Sequence, residues 1–367
     1  MRLDSVNPFP KNITLGAVQD DELVYMTGYQ IGLQCKRAGI QMNFAPVVDI
    51  NSNPKNPVIN FRSFGEEKHR VAAKGAAFIH GMQDAGVIAT AKHFPGHGDT
   101  DSDSHYTLPL LNHTKAQIDS TDLVPFRAAI ASDAAAIMVA HLFIPDLDST
   151  RDRATSLSPI AVNQLLKNEL GFQGLVVTDA LDMEGVTSYH QPGDIELMAL
   201  LAGNDILLLP LNIPLALEKI KDALNSGLIT EEEINHRCRK VLRYKYKAGL
   251  SESLMVNPEN LLHDLNCAGN EVVVRQVFEK AVTVLKNSQN ILPLTHLDTL
   301  TIASLVIGHE KPGTFQKRLS SYAPVDHYNI KPAPDKNAIE EVIKKLEKYD
   351  LLIVGIENTS SYMSRKY

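Results

Sequence analysis

A chain of 367 residues is long enough for two domains, or for one large domain with an appendage. It is 44% hydrophobic and 22% charged, the composition of a globular protein, and its net charge of −7 speaks against a general nucleic-acid binder, which shows a basic patch. No apolar run is long enough to span a bilayer, and three widely spaced cysteines (Cys35, Cys238, Cys267) read as reduced structural thiols, not as a disulfide framework or zinc knuckle.

Taken in order, residues 20–38 carry apolar side chains at helical spacing (Leu23, Met26, Ile31, Leu33), and Gly39 ends the helix. Residues 42–49 read as a strand that delivers Asp49 to its C-terminal end. A loop over 51–64 and a helix over 66–84 follow, and residues 87–91 form the next apolar strand. It runs into a loop, 92–105, that holds three histidines, three aspartates and a lysine; Pro95, Gly96 and Gly98 prevent a helix there. Further strands are expected at 135–141, 174–179 and 205–210. Helices are expected from Pro159 to Leu170 with Ser158 as N-cap, and over 214–224 and 231–246. Strand, loop and helix in alternation are the βαβ pattern of a parallel sheet.

From 251 to 295 the pattern changes to a helix over 272–285 and a connector over 287–294. A strand (300–307), a helix (338–348) and a strand (351–356) then begin a second α/β structure, too small by itself for a full core. The expected organisation is a barrel domain over 1–250, a connecting region over 251–295 and a partial second domain over 296–367. No signal peptide is legible, residues 1–4 lead straight into a proline-containing turn, and the last strand has only a short polar tail. The expectation is a chain truncated at both ends. A cytoplasmic and an extracytoplasmic compartment then stay equally open, because an export signal would precede Met1.

Asp49, His93, His141 and Asp179 all stand at strand C-termini, and in a (β/α) barrel those ends converge on one face. Asp179 reads as a catalytic carboxylate at the barrel mouth; the plainer alternative is a helix N-cap. In Asp103-Ser104-His105 a carboxylate stands two residues from an imidazole. It can fix one ring nitrogen and leave the other for proton transfer. The plainer alternative is a solvated acidic loop. Arg62, Lys92 and His93 are donors suited to a ligand rich in hydroxyl or acetamido oxygens, or else partners of barrel-mouth aspartates. His97 is expected to bond backbone in the glycine-rich turn. A metal site is disfavoured, because the i, i+4 spacing of His93 and His97 brings two imidazoles to one face only in a helix, which Pro95-Gly96 forbids.

The stretches 43–49, 56–59 with 62–65, 92–98 with 103–105, and 174–179 together resemble glycoside hydrolase family 3, in particular its β-N-acetylglucosaminidase branch. The resemblance implies a TIM-like (β/α)8 barrel, here lacking its first strand, followed by a partial α/β/α sandwich domain. It implies retaining removal of terminal β-linked N-acetylglucosamine, on peptidoglycan fragments such as muropeptides, without metal or cofactor. By it Asp179 is the nucleophile of a covalent glycosyl-enzyme, His105 the acid/base and Asp103 its orienting partner. Arg62, Lys92 and His93 match positions that bind the sugar ring, and Asp49 joins them as substrate-binding. A neutral histidine base tolerates an anionic acceptor, so phosphate is a hypothetical substitute for water; products without a sugar phosphate would dispose of it. The rival readings are a family 3 β-glucosidase or β-xylosidase, a sugar-binding protein without turnover, and a metal-dependent hydrolase. The Asp103/His105 pair speaks against the first, and sugar binding without hydrolysis would favour the second.

Overall fold

The computed structural model describes residues 3–104, 106–252 and 255–357, which divide into two compact units, Met1–Thr283 and Val284–Tyr367. The first unit is built on a four-stranded parallel sheet of β1 (Met42–Asn43), β2 (Ile88–Phe94), β3 (Ala136–Val139) and β4 (Leu175–Thr178), paired in chain order. Helices α1 (Asn12–Ala17), α2 (Asp21–Arg37), α3 (Lys68–Asp84), α4 (Val124–Ala131), a π-type helix α5 (Ile160–Glu169), α6 (Asp194–Ala202), α7 (Ile213–Asn225), α8 (Glu231–Lys247) and α9 (Ala268–Ala281) surround or follow it. The expected helix over 20–38 is α2. Its Asp20 side chain accepts the Glu22 amide at 3.0 Å, the N-cap bond that starts a helix.

Strand side chains split by the period of two. Ile137 and Val139 of β3 join the large core that includes Phe78, Ile79, Phe94 and Phe126. Ala136 and Met138 face the other way, with Leu175, Val177, Ile206, Leu208 and the α8 residues Val241 and Tyr244. Both faces of the sheet are therefore apolar. That is why these strands read in sequence as unbroken hydrophobic runs.

Two expected strands are less regular than their sequences suggest. The regular ladder of the first stops after Asn43, yet the chain stays beside β2: Thr90 donates to the Ala45 carbonyl (2.8 Å), Lys92 to Pro46 (3.1 Å) and Val48 to Lys92 (2.7 Å). Pro46 lacks an amide hydrogen, which interrupts a ladder. The stretch expected as a strand over 205–210 holds to β4 by a single bridge, Val177 to Ile206. The helices Val124–Ala131 and Asp194–Ala202 were not legible in the sequence.

The second unit holds a three-stranded parallel sheet ordered β6–β5–β7, from β5 (Ile302–Ile307), β6 (Val325–Ile330) and β7 (Leu351–Ile356), with helices α10 (Thr314–Leu319) and α11 (Lys336–Leu346). β5 is central and buries Ile302, Ala303 and Val306. β6 is an addition to the expected elements; its sequence VDHYNI carries four polar or aromatic residues and no apolar run.

Candidate active site

The site is assembled where β2 leaves the sheet. β2 pairs with β3 at Ala91 and again at Phe94, and its register shifts over Lys92 and His93. That shift turns the His93 amide away from the ladder and onto Asp49, whose two carboxylate oxygens each lie 3.2 Å from it. The Lys92–His93 and Phe94–Pro95 peptide bonds are cis. The His93 ring donates from Nδ1 to Asp49 Oδ2 at 2.7 Å, and the His97 amide donates to Oδ1 at 2.8 Å. Asp49 is 1% exposed, so this carboxylate is the buried hub that sets the start of the loop.

The protonation of His93 follows from its second partner. Arg62 Nη2 lies 3.3 Å from His93 Nε2, and a guanidinium has no lone pair to offer. Nε2 must accept, Nδ1 carries the hydrogen, and the ring is neutral. The energetics agree: burial lowers the pKa of His93 by more than Asp49 raises it. For Asp49 burial pushes upward, but the His93 ring and the His97 ring and amide outweigh it and hold the carboxyl below its usual range.

Asp179 ends β4, with its amide donating to the Val139 carbonyl at 2.9 Å and its Oδ1 accepting the Ala180 amide at 2.9 Å. Burial raises its pKa, yet the His93 and His141 rings, the Ala180 amide and the Lys92 ammonium together keep it below the ordinary carboxylate value. Asp179 is thus a partly buried anion within electrostatic reach of His93 and Lys92. His141 supports it from behind. Its Nε2 donates to the Ala180 carbonyl at 2.9 Å and its Nδ1 meets Ser156 Oγ at 2.7 Å. Burial pushes the His141 pKa down, so it is a neutral ring that fixes the backbone after Asp179.

The rest of the loop is pinned by three devices. Asn56 donates to the His97 carbonyl at 2.8 Å, and its own carbonyl accepts the Val58 and Ile59 amides. A Cβ at Gly98 would lie 1.7 Å from the Ile50 carbonyl oxygen, so only glycine fits against the chain that carries Asp49. His113 bridges two carboxylates, Asp122 at 2.7 Å and Asp99 at 2.9 Å. Its bond to Asp122 is the main cause that raises its pKa to about 9, so this ring is an imidazolium at neutral pH. His113 and Asn56 had no motif to announce them. His97 has a structural role, with ring nitrogens 2.7 Å from Thr100 Oγ1 and 3.3 Å from Ser104 Oγ, and burial lowers its pKa to about 4.

The Asp103 backbone carbonyl accepts the Tyr106 and Thr107 amides. The Ser104 carbonyl accepts the Gly185 amide at 3.2 Å, which docks this part of the loop on the chain following Asp179. His105 lies outside the described residues. Of the expected site residues, Asp49, His93 and Arg62 are joined by direct bonds, and Lys92 and Asp179 complete the charged group. A cavity of about 400 Å³ opens beside Arg62 and Lys92 and is lined also by Phe44, Val47, Phe61 and Phe78; Asp179 and His93 are not among its lining residues.

A family model described as glycosyl hydrolase family 3 N terminal domain matches residues 1–244. The chain belongs to glycoside hydrolase family 3. Among its relatives, a beta-hexosaminidase A of Pseudoalteromonas piscicida is 32% identical over 95% of this chain and 59% of its own length. A beta-N-acetylglucosaminidase/beta-glucosidase of Cellulomonas fimi is 30% identical over 77% of this chain and 52% of its own. The chain therefore spans between about half and three-fifths of these relatives. The solved structure of a family 3 beta-N-acetylglucosaminidase from Paenibacillus sp. str. FPU-7 superimposes with a TM-score of 0.77 at 32% identity, covering 96% of this chain and 69% of that one.

Proposed function

We propose that the chain carries the catalytic half of a retaining β-N-acetylglucosaminidase, with its parallel sheet as part of a TIM-like barrel over 1–250 and the start of a sandwich domain over 296–367. The observation that carries this reading is Asp179: a carboxylate at a strand end, kept ionised in a partly buried setting beside His93 and Lys92. An ionised carboxylate is the state a nucleophile needs to attack an anomeric carbon. The names of the relatives and of the Paenibacillus structure support N-acetylglucosamine as the terminal sugar.

In this reading Asp179 forms the glycosyl ester. His105 first protonates the departing oxygen and then takes a proton from water, with Asp103 as its orienting partner. The bond from Gly185 to the Ser104 carbonyl supports that assignment, because it ties the loop at Ser104 to the chain that follows Asp179. A Cβ at Gly185 would meet the Ser104 and Thr107 carbonyl oxygens at 2.9 and 3.0 Å, so glycine permits the approach. Arg62, Lys92 and His93 bind ring substituents, and Asp49 acts through His93 as a positioning residue. Muropeptide fragments of peptidoglycan are the proposed natural substrates.

The test is a panel of aryl β-glycosides. Release from the N-acetylglucosaminide with the β-anomer of the free sugar appearing first is expected. Preference for the glucoside or xyloside, or first appearance of the α-anomer, would overturn the proposal. Binding of N-acetylglucosamine without any release would favour a sugar-binding protein.

A further inference from the structure

A second polar cavity, of about 480 Å³, lies at the other end of the same strands. Gln173, just before β4, and Asp205, just before the bridge at Ile206, line it, so it opens at the N-terminal edge of the sheet. Asp179 stands at the opposite edge. Three cations converge here: Lys167 from α5, and Arg237 and Lys240 from α8.

Their charges are not balanced locally. Asp205, with a side chain 1% exposed, pairs with Lys240 at 2.7 Å and also accepts the Val176 amide at 2.8 Å. Among the described residues Lys167 and Arg237 make no ion pair; they donate to carbonyls in and just after the last turn of α6, Lys167 to Gly203 and Arg237 to Leu200 and Asn204. An ammonium has three donors and a guanidinium five, so both keep capacity after that bonding. Two further carboxylates, Glu232 and Glu233, stand at the exposed rim, and Glu233 acts on Arg237 through its charge without an ion pair. Glu233 is turned into the α8 cap, where it accepts the Thr230 amide at 2.8 Å and hydroxyl at 2.9 Å, and Glu232 is exposed. Burial lowers the Lys167 pKa to about 8 against an upward pull from Asp205, with Lys240 and Arg237 adding to the fall.

We propose that this cavity is a second ligand site, built for a dianionic phosphate group held by Lys167, Arg237 and Lys240. A dianion supplies the missing counter-charge, and its oxygens take the remaining donors as charge-assisted hydrogen bonds. The cavity is larger than a phosphate ion, and Asn168 and Gln173 offer neutral partners for hydroxyl groups. The group can arrive as free phosphate or on a small hydroxylated molecule.

Isothermal titration with inorganic phosphate, glucose 6-phosphate and glucose, at constant ionic strength, tests the site without using activity. Saturable one-to-one binding of the phosphorylated probes and none of glucose is expected. Lys167→Gln keeps a donor for the Gly203 carbonyl and should weaken binding about ten-fold or more. Arg62→Gln, at the other edge, should leave it unchanged. Tighter binding of glucose 6-phosphate would identify a phosphorylated small molecule as the source; equal binding would identify free phosphate. No saturable binding of either, affinity unaltered by Lys167→Gln, or binding abolished by Arg62→Gln would overturn the proposal.

Discussion

His93 and His113 are both held by carboxylates, yet they titrate in opposite directions. His93 has one partner acid, is buried among the strand ends and faces Arg62, so burial wins and the ring is neutral. His113 touches two acids, Asp99 and Asp122, and keeps some contact with solvent, so hydrogen bonding wins and its pKa climbs to about 9. The same residue pair thus gives a neutral ring where a sugar is proposed to bind and a fixed cation where a loop needs an anchor. Burial and the count of carboxylates decide which.

The largest break in this comparison is Asp49→Ala. It removes the acceptor of the His93 ring and of two backbone amides inside the core, and it should cost about 3–5 kcal/mol of stability in urea unfolding. Gly98→Ala comes next. Its methyl meets the Ile50 carbonyl at 1.7 Å and pushes the loop off the Asp49 segment, at roughly 2–3 kcal/mol by the same assay. His113→Gln breaks the outer anchor. Two charge-assisted bonds are lost at a site partly open to water, so about 1–2 kcal/mol is expected.

The subtlest effect is in pH. A pKa raised in the folded state means that the His113 contribution is complete below the ordinary value of 6.5 and is lost as pH rises through about 9. The gap in unfolding midpoint between wild type and His113→Gln should therefore close across that window. A gap that stayed constant would show that His113 is not an imidazolium.

Much of this was legible in the sequence, for identifiable reasons. Helix 20–38 showed by its apolar spacing, and the charged strand ends showed because apolar runs stop abruptly at Asp49, Lys92 and Asp179. The histidine that matters most to the loop's anchorage did not show. His113 finds Asp99 and Asp122 at separations of 14 and 9 residues, which follow no local period. Nor did the strand ends show what His141 does: its bond to the Ala180 carbonyl fixes the backbone after Asp179. β6 escaped because its residues carry no apolar signal.

The central claim is that Asp179 attacks the sugar. The most direct measurement is chromophore release from an aryl β-N-acetylglucosaminide by wild type and by Asp179→Ala, with and without added azide. Turnover by wild type, a loss of roughly 10⁴-fold in the variant, and recovery with azide to give the α-glycosyl azide are predicted. Wild-type turnover that survives in Asp179→Ala within about ten-fold, with no azide product, would contradict it.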